Sequence, residues 1–100
     1  MKSVFADTGY WIALLDPNDT LHVKALDVSI ALEFERIITS EMVLAEVLNY
    51  FAHRGSFLRV AAVSLIRSLR SNFSIEIISH TAINLFQQAL ELYEQRPDKS

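Results

Sequence analysis

The sequence contains no cysteine. Disulfides, thiolate metal sites and a cysteine nucleophile are therefore excluded, and the composition fits a reducing compartment. Glycine and proline occur only twice each, which predicts long regular elements joined by few loops. No apolar run approaches the roughly 18 residues that a bilayer span requires. No charged stretch leads into an apolar run behind Met1, so the start does not read as a secretory leader. Basic residues are not in excess. The formal net charge is -3, which excludes nucleic-acid binding by bulk positive charge and leaves a local basic patch as the remaining route. These absences together predict a cytoplasmic chain with no membrane partner.

What is present is apolar material. Apolar residues make up 51% of the 100 positions, enough for one globular core in one domain spanning residues 1–100. Val4–Ala6 reads as a short buried strand that ends at Asp7, with a turn at Gly9. Tyr10–Leu15 reads as a first helix, stopped near Asp16-Pro17. Asp19 or Thr20 can cap a second helix, in which Val23, Leu26, Ile30 and Phe34 recur at helical spacing. Arg36–Ser40, "RIITS", is rich in β-branched residues and predicts a second strand. Thr39 or Ser40 can cap a third helix, with Val43, Val47, Leu48 and Phe51 on one face and Gly55 at its end. Phe57–Leu69 predicts a fourth helix, Ser74–Ser79 a third strand, and Thr81–Gln95 a fifth helix with Ile83, Phe86, Leu90 and Tyr93 in phase. Pro97 interrupts the pattern. Strands separated by helices imply crossover connections and a parallel sheet in an α/β fold.

In such sheets ligands sit beyond the carboxyl ends of the strands. Asp7 stands at one such end, and Thr39 and Ser40 at another. An ionised carboxylate beside an apolar core needs a partner or a task. Glu46, about two helical turns after Ser40, is the best candidate to join Asp7, because it flanks the apolar face of its helix. Two carboxylates brought together repel unless a cation lies between them, and Mg²⁺ or Mn²⁺ prefers oxygen donors. Thr8 can hydrogen-bond Asp7 or a substrate phosphate. The bland alternative is that Asp7 caps a helix and Glu46 is solvated.

The segments "FADTGYWIALLDPNDTLHVKA" and "ITSEMVLAEVLNYF" resemble the PIN domain, and bacterial VapC-type toxins in particular. The likeness includes the strand-Asp-Thr opening, the aromatic residue ahead of "IALL", Asp19 and His22 before the second helix, Thr39-Ser40, and the glutamate of the following helix. It covers the whole chain in order of elements, with its specific motifs in the first half. The resemblance implies a three-layer fold with a central parallel sheet flanked by helices. It also implies a Mg²⁺- or Mn²⁺-dependent endoribonuclease with an RNA substrate, an antitoxin that blocks the site, and dimers. Asp7 matches the first acidic ligand, Glu46 the second, and Thr8 the small hydroxyl residue beside the first; Thr39 and Ser40 match the polar pair that precedes the helix.

The sequence also departs from the family pattern. Members carry further acids after a Ser-Leu or Ser-Leu-Thr run, and "RPDKS" resembles the lead-in to that motif, with Asp98 in the lead-in rather than at the ligand. The last strand and helix, and the third acid, are expected to be missing here, so the expected catalytic site is incomplete. A non-catalytic PIN-like interaction module is the competing function. A bared sheet edge further predicts a homo-oligomer. A phosphoaspartate enzyme of the dehalogenase type needs a second Asp two residues after the first, where this chain has Gly9.

Among the remaining residues, His22 is expected to cap or pack the second helix, and His53 and His80 to be structural. No two histidines make a zinc spacing. Arg54, Arg59, Arg67 and Arg70 are candidates for a phosphate rim or a solvated face. Tyr10 and Trp11 are expected in the core or facing a partner rather than stacking on bases, Asp16 at the end of the first helix, and Glu76 outward on an edge strand or paired locally.

Overall fold

A computed structural model describes residues 2–95. Pro97, Asp98 and the rest of "RPDKS" lie outside the described residues, as does the side chain of Ile83. The chain alternates strands and helices: β1 (Ser3–Phe5), α1 (Thr8–Leu15), α2 (His22–Ala31), β2 (Arg36–Ser40), α3 (Glu41–Phe51), α4 (Ser56–Arg70), β3 (Ile75–Ile78) and α5 (His80–Gln95). The three strands form one sheet in the order β1-β2-β3, and both pairings are parallel. Val4 lies opposite Ile37, and Thr39 opposite Ile77. This is a PIN-like α/β fold, as the order of elements predicts.

β2 holds the centre because it is the most buried strand, with Thr39 and Ser40 enclosed at its carboxyl end. Its β-branched run suits a strand with neighbours on both edges. β1 and β3 each have one free edge among the described strands. Arg36 and Glu76, on adjacent strands, form a partly exposed ion pair at 2.8 Å. That answers the outward placement expected of Glu76.

The core forms where α1, α3 and α4 meet. Trp11, Leu44, Val47, Phe51, Ala62 and Leu69 are its buried members, together with Ala6 after β1. Phe51 and Val47 are wholly enclosed. Truncating Phe51 to alanine is expected to cost about 3–5 kcal/mol, through lost transfer energy and an unfilled cavity. Leu44, Val47 and Phe51 recur at intervals of three and four, which is why α3 presents one seam to the core.

Four local expectations are corrected. Gly55 does not end α3, which stops at Phe51; it precedes α4 as its N-cap, with φ +93°. That backbone region favours glycine because it lacks a Cβ. The stripe Val23, Leu26, Ile30 and Phe34 is not the buried face of α2. All four are exposed, Phe34 lies beyond the helix, and the buried residue of α2 is Ala25. The helix carries apolar residues around most of its circumference, so the phase alone does not name the inner face. Finally, Leu48 does not share the buried face of α3 with Val47 and Phe51: it is exposed, and Leu44 takes that place. Phe86, Leu90 and Tyr93, in phase on α5, are exposed as well. α5 is tied at its start, where Glu41 Oε1 accepts from the His80 amide at 2.7 Å and Ser79 Oγ from the Ala82 amide at 3.2 Å. It is exposed along nearly all its described length. The radius of gyration, 16.5 Å, accordingly exceeds the ~13 Å usual for 100 residues.

Candidate functional site

The carboxyl edge of the sheet is organised by one buried hydroxyl. Thr39 Oγ1 donates to the carbonyl of Ala6 at 2.9 Å and accepts from Trp11 Nε1 at 3.2 Å. The Ala6 amide donates in turn to the Ile38 carbonyl at 2.8 Å. Thr39 thus fastens the residue before Asp7 to β2 and holds the α1 tryptophan in place. Its hydroxyl is fully enclosed, so it acts on Asp7 through the backbone of Ala6 and does not face a substrate.

Asp7 follows directly. It is exposed and serves as the N-cap of α1, its Oδ1 accepting from the Tyr10 amide at 2.9 Å. A carboxylate here satisfies an orphan amide and meets the positive end of the helix dipole. The bland assignment is therefore part of the observed geometry. It uses one oxygen and leaves a second for another ligand. Thr8 is the first residue of α1 and half-buried. Ser40 caps α3, its Oγ accepting from the Val43 amide at 3.1 Å. The two helix starts thus follow the carboxyl ends of two neighbouring parallel strands.

Glu46 is exposed on α3, about 8 Å along the axis from Glu41 at 1.5 Å per residue. Its direction follows from its neighbours. Residues four apart share a helix face, so Glu46 stands one turn before Tyr50. Tyr50 lines a cleft of about 530 Å³ together with Asp7, Tyr10, Asp19, Leu21 and Lys24. The opposite side of α3, Glu41, Ala45 and Leu48, lines a separate cavity with Arg70 and Ile75. α3 packs against α1, and Glu46 stands one turn before the tyrosine that shares the cleft with Asp7, without itself lining that cleft. The Glu46 side chain makes no hydrogen bond or ion pair among the described residues.

Asp7 and Glu46 each offer hard carboxylate oxygens, the donor type that Mg²⁺ and Mn²⁺ prefer. Among the described residues there is no cluster of three or more His, Asp or Glu side chains that could hold a metal ion.

The other singled-out residues separate by location. His22 Nδ1 lies 2.7 Å from the Ala13 carbonyl, joining α2 to α1, the packing role expected of it. Asp16 is buried at the end of α1 and accepts from the Asn18 amide at 2.9 Å. Asp19 accepts from the Leu21 amide at 2.9 Å; the cap position of α2 itself, Leu21, has no side-chain hydrogen bond. The arginines do not form one rim. Arg54 stacks over Tyr50 at 3.8 Å and donates Nε to the Tyr50 carbonyl, whereas Arg70 lines the cavity on the other side of α3. The tyrosine-lined cleft was missed by sequence reasoning. Its only signal was the spacing of Glu46 and Tyr50. Burial raises the Tyr10 phenol above its ordinary pKa, because a phenolate loses hydration there.

A three-stranded parallel sheet with helices between its strands, and an aspartate after β1 that caps α1, makes this a PIN-like α/β fold. The structure is similar to that of Mycobacterium tuberculosis VapC20, a sarcin–ricin loop cleaving toxin. The TM-score is 0.66 at 27% identity, covering 99% of this chain and 72% of that one. The likeness supports the PIN-like fold of this chain. No family model matches the sequence, and no curated protein matches it. Among the described residues, no helix is long and apolar enough to cross a membrane.

Proposed function

We propose that the chain is a PIN-type endoribonuclease domain, residues 1–100 acting as one unit, in which Asp7 and Glu46 hold Mg²⁺ or Mn²⁺. The observation that carries this reading is the placement of Asp7. It caps α1 after the carboxyl end of β1 and shares a cleft with Tyr50, one helical turn after Glu46 on α3. The likeness to VapC20 supports it.

The ion supplies, when bound, a Lewis acid that polarises a phosphodiester and lowers the pKa of a water. The chain's own residues do the positioning. The Thr39 hydroxyl fixes the Ala6 carbonyl, and the Tyr10 amide orients the Asp7 carboxylate. Glu46 brings a second negative charge from a rigid helix. Thr8 stands beside Asp7, where its hydroxyl can meet the carboxylate or a phosphate oxygen. Ser40 acts indirectly, by capping the helix that carries Glu46. A net charge of -3 gives the chain little general attraction for RNA, so the cation must provide much of it. The same reading carries a cytoplasmic setting, an antitoxin partner and self-association, the last supported by the free edges of β1 and β3.

The second reading, a non-catalytic PIN-like interaction module, is favoured by one observation, the lack of a third acidic ligand among the described residues. Calorimetric titration of Mg²⁺ and Mn²⁺ into the wild type and Asp7→Asn, followed by RNA cleavage, tests both. Metal binding and cleavage that vanish together in Asp7→Asn support the nuclease. Metal-independent folding with no cleavage supports the module.

A further inference from the structure

The cleft between α1, α2 and α3 has a chemistry beyond that of the acidic pair, one member of which, Asp7, stands in its lining. Two phenol rings, Tyr10 and Tyr50, line it with the aliphatic side chains of Leu21 and Val28. The Arg54 guanidinium stacks on one face of the Tyr50 ring at 3.8 Å, and Tyr10 makes edge contact with Trp11 at 5.0 Å between centroids. Both rings are thus pre-oriented, which limits the entropy lost when a flat ligand lies on them. The polar lining consists of Asp7, Asp19 and the ammonium of Lys24. Carboxylates only accept hydrogen bonds, so Asp7 and Asp19 suit the amino group of a base, and Lys24 suits a phosphate. At about 530 Å³ the cleft falls in the range of small-molecule sites.

We propose that this cleft is a nucleotide subsite. It stacks a nucleobase of a single RNA strand on Tyr50 and Tyr10, while Lys24 engages the adjoining phosphate. The subsite opens directly onto Asp7, so a base seated there places the neighbouring phosphodiester beside the acidic pair. The inference rests on the nuclease reading for its setting, but its chemistry needs no metal. A nucleobase fits better than an apolar peptide, because two acceptor-only carboxylates and one cation match the amino group and phosphate of a nucleotide.

The test is a titration of adenosine 5′-monophosphate and of ribose 5-phosphate in EDTA, followed by calorimetry and amide NMR shifts. The nucleotide is expected to bind about tenfold more tightly than the sugar phosphate, the contribution of one stacked base, with shifts at Tyr10, Ala25, Val28 and Tyr50. Tyr50→Phe retains this difference and Tyr50→Ala removes it. Lys24 is exposed, so Lys24→Ala folds normally and weakens both ligands alike. Equal binding of the two ligands, or no binding of either up to about 10 mM, overturns the proposal. So do shifts confined to other faces, or an unaltered preference in folded Tyr50→Ala. Wild type that shows the nucleotide preference but binds no Mg²⁺ overturns the acidic-pair reading alone, and wild type that binds Mg²⁺ without that preference overturns the subsite alone, so the two readings fail separately.

Discussion

Replacing Thr39 with valine is the sharpest perturbation of the site's scaffold. The two side chains have nearly the same shape, but valine lacks the hydroxyl that accepts from Trp11 Nε1 and donates to the Ala6 carbonyl. Thr39 is wholly buried and Trp11 nearly so, so water does not replace the missing partner. Each buried polar group left unpaired costs about 1–3 kcal/mol. The two orphans together put the loss at roughly 3 kcal/mol, a large share of the ~5–15 kcal/mol that holds a domain of this size folded. At about 4–8 °C per kcal/mol, the melting temperature should fall by well over 10 °C. The chain has one tryptophan, and it is the donor in question. Urea unfolding followed by Trp11 emission therefore reads stability and the local environment together. Thr39→Ser keeps the hydroxyl and removes a methyl group, so it should lose only ~1 kcal/mol. If Thr39→Val is as stable as the wild type, or no less stable than Thr39→Ser, the hydroxyl does not organise this edge and the reasoning is refuted. In a double-mutant cycle with Trp11→Phe, a coupling near zero would remove the Trp11 half of the argument.

Other substitutions separate capping from metal binding. Asp7→Asn preserves the cap, since asparagine serves as well as aspartate there, whereas Asp7→Ala should destabilise by about 1 kcal/mol; both are expected to abolish Mg²⁺ binding, and thermal melts beside calorimetry distinguish the two effects. Ser40→Ala removes the α3 cap, again at about 1 kcal/mol by urea titration. Arg36→Ala or Glu76→Ala should change stability by only a few tenths of a kcal/mol, because that ion pair is well exposed. The Tyr10 phenol has a folded pKa raised by burial. Its stabilising effect is therefore complete below the ordinary tyrosine value near 10 and is lost as pH rises through the folded pKa, because there the unfolded chain binds fewer protons than the folded one. Melts across the alkaline range should show Tyr10→Phe losing less stability than the wild type; identical profiles would count against it.

Much of the fold was legible in the chain because its signals are local. Scarce glycine and proline, β-branched "RIITS" and the four-residue spacing of Val43, Val47 and Phe51 depend only on backbone preference and on side chains a turn apart. They located every described strand and helix, with the ends of α2 and α3 overrun by about three residues, and placed Asp7 just after a strand, with Ser40 as a cap. The exceptions are informative. α2 is apolar on most sides, so its periodicity suggested the wrong inner face, and Gly55 can serve either end of a helix.

What only the tertiary structure decided depends on residues far apart in the chain. The order β1-β2-β3, and with it the central position of β2, follows from which strands find partners across intervening helices. Thr39 joins Ala6 and Trp11, 33 and 28 positions away, and no sequence period records that pairing. The cleft likewise exists only where α2 meets α1 and the Tyr50 side of α3. The sequence by itself determined which groups are present and which backbone elements carry them. Packing decided which hydroxyl is sealed inside, which tyrosines share a cleft, and that Asp7 opens onto it, because these depend on the burial of surfaces that local sequence does not bring together.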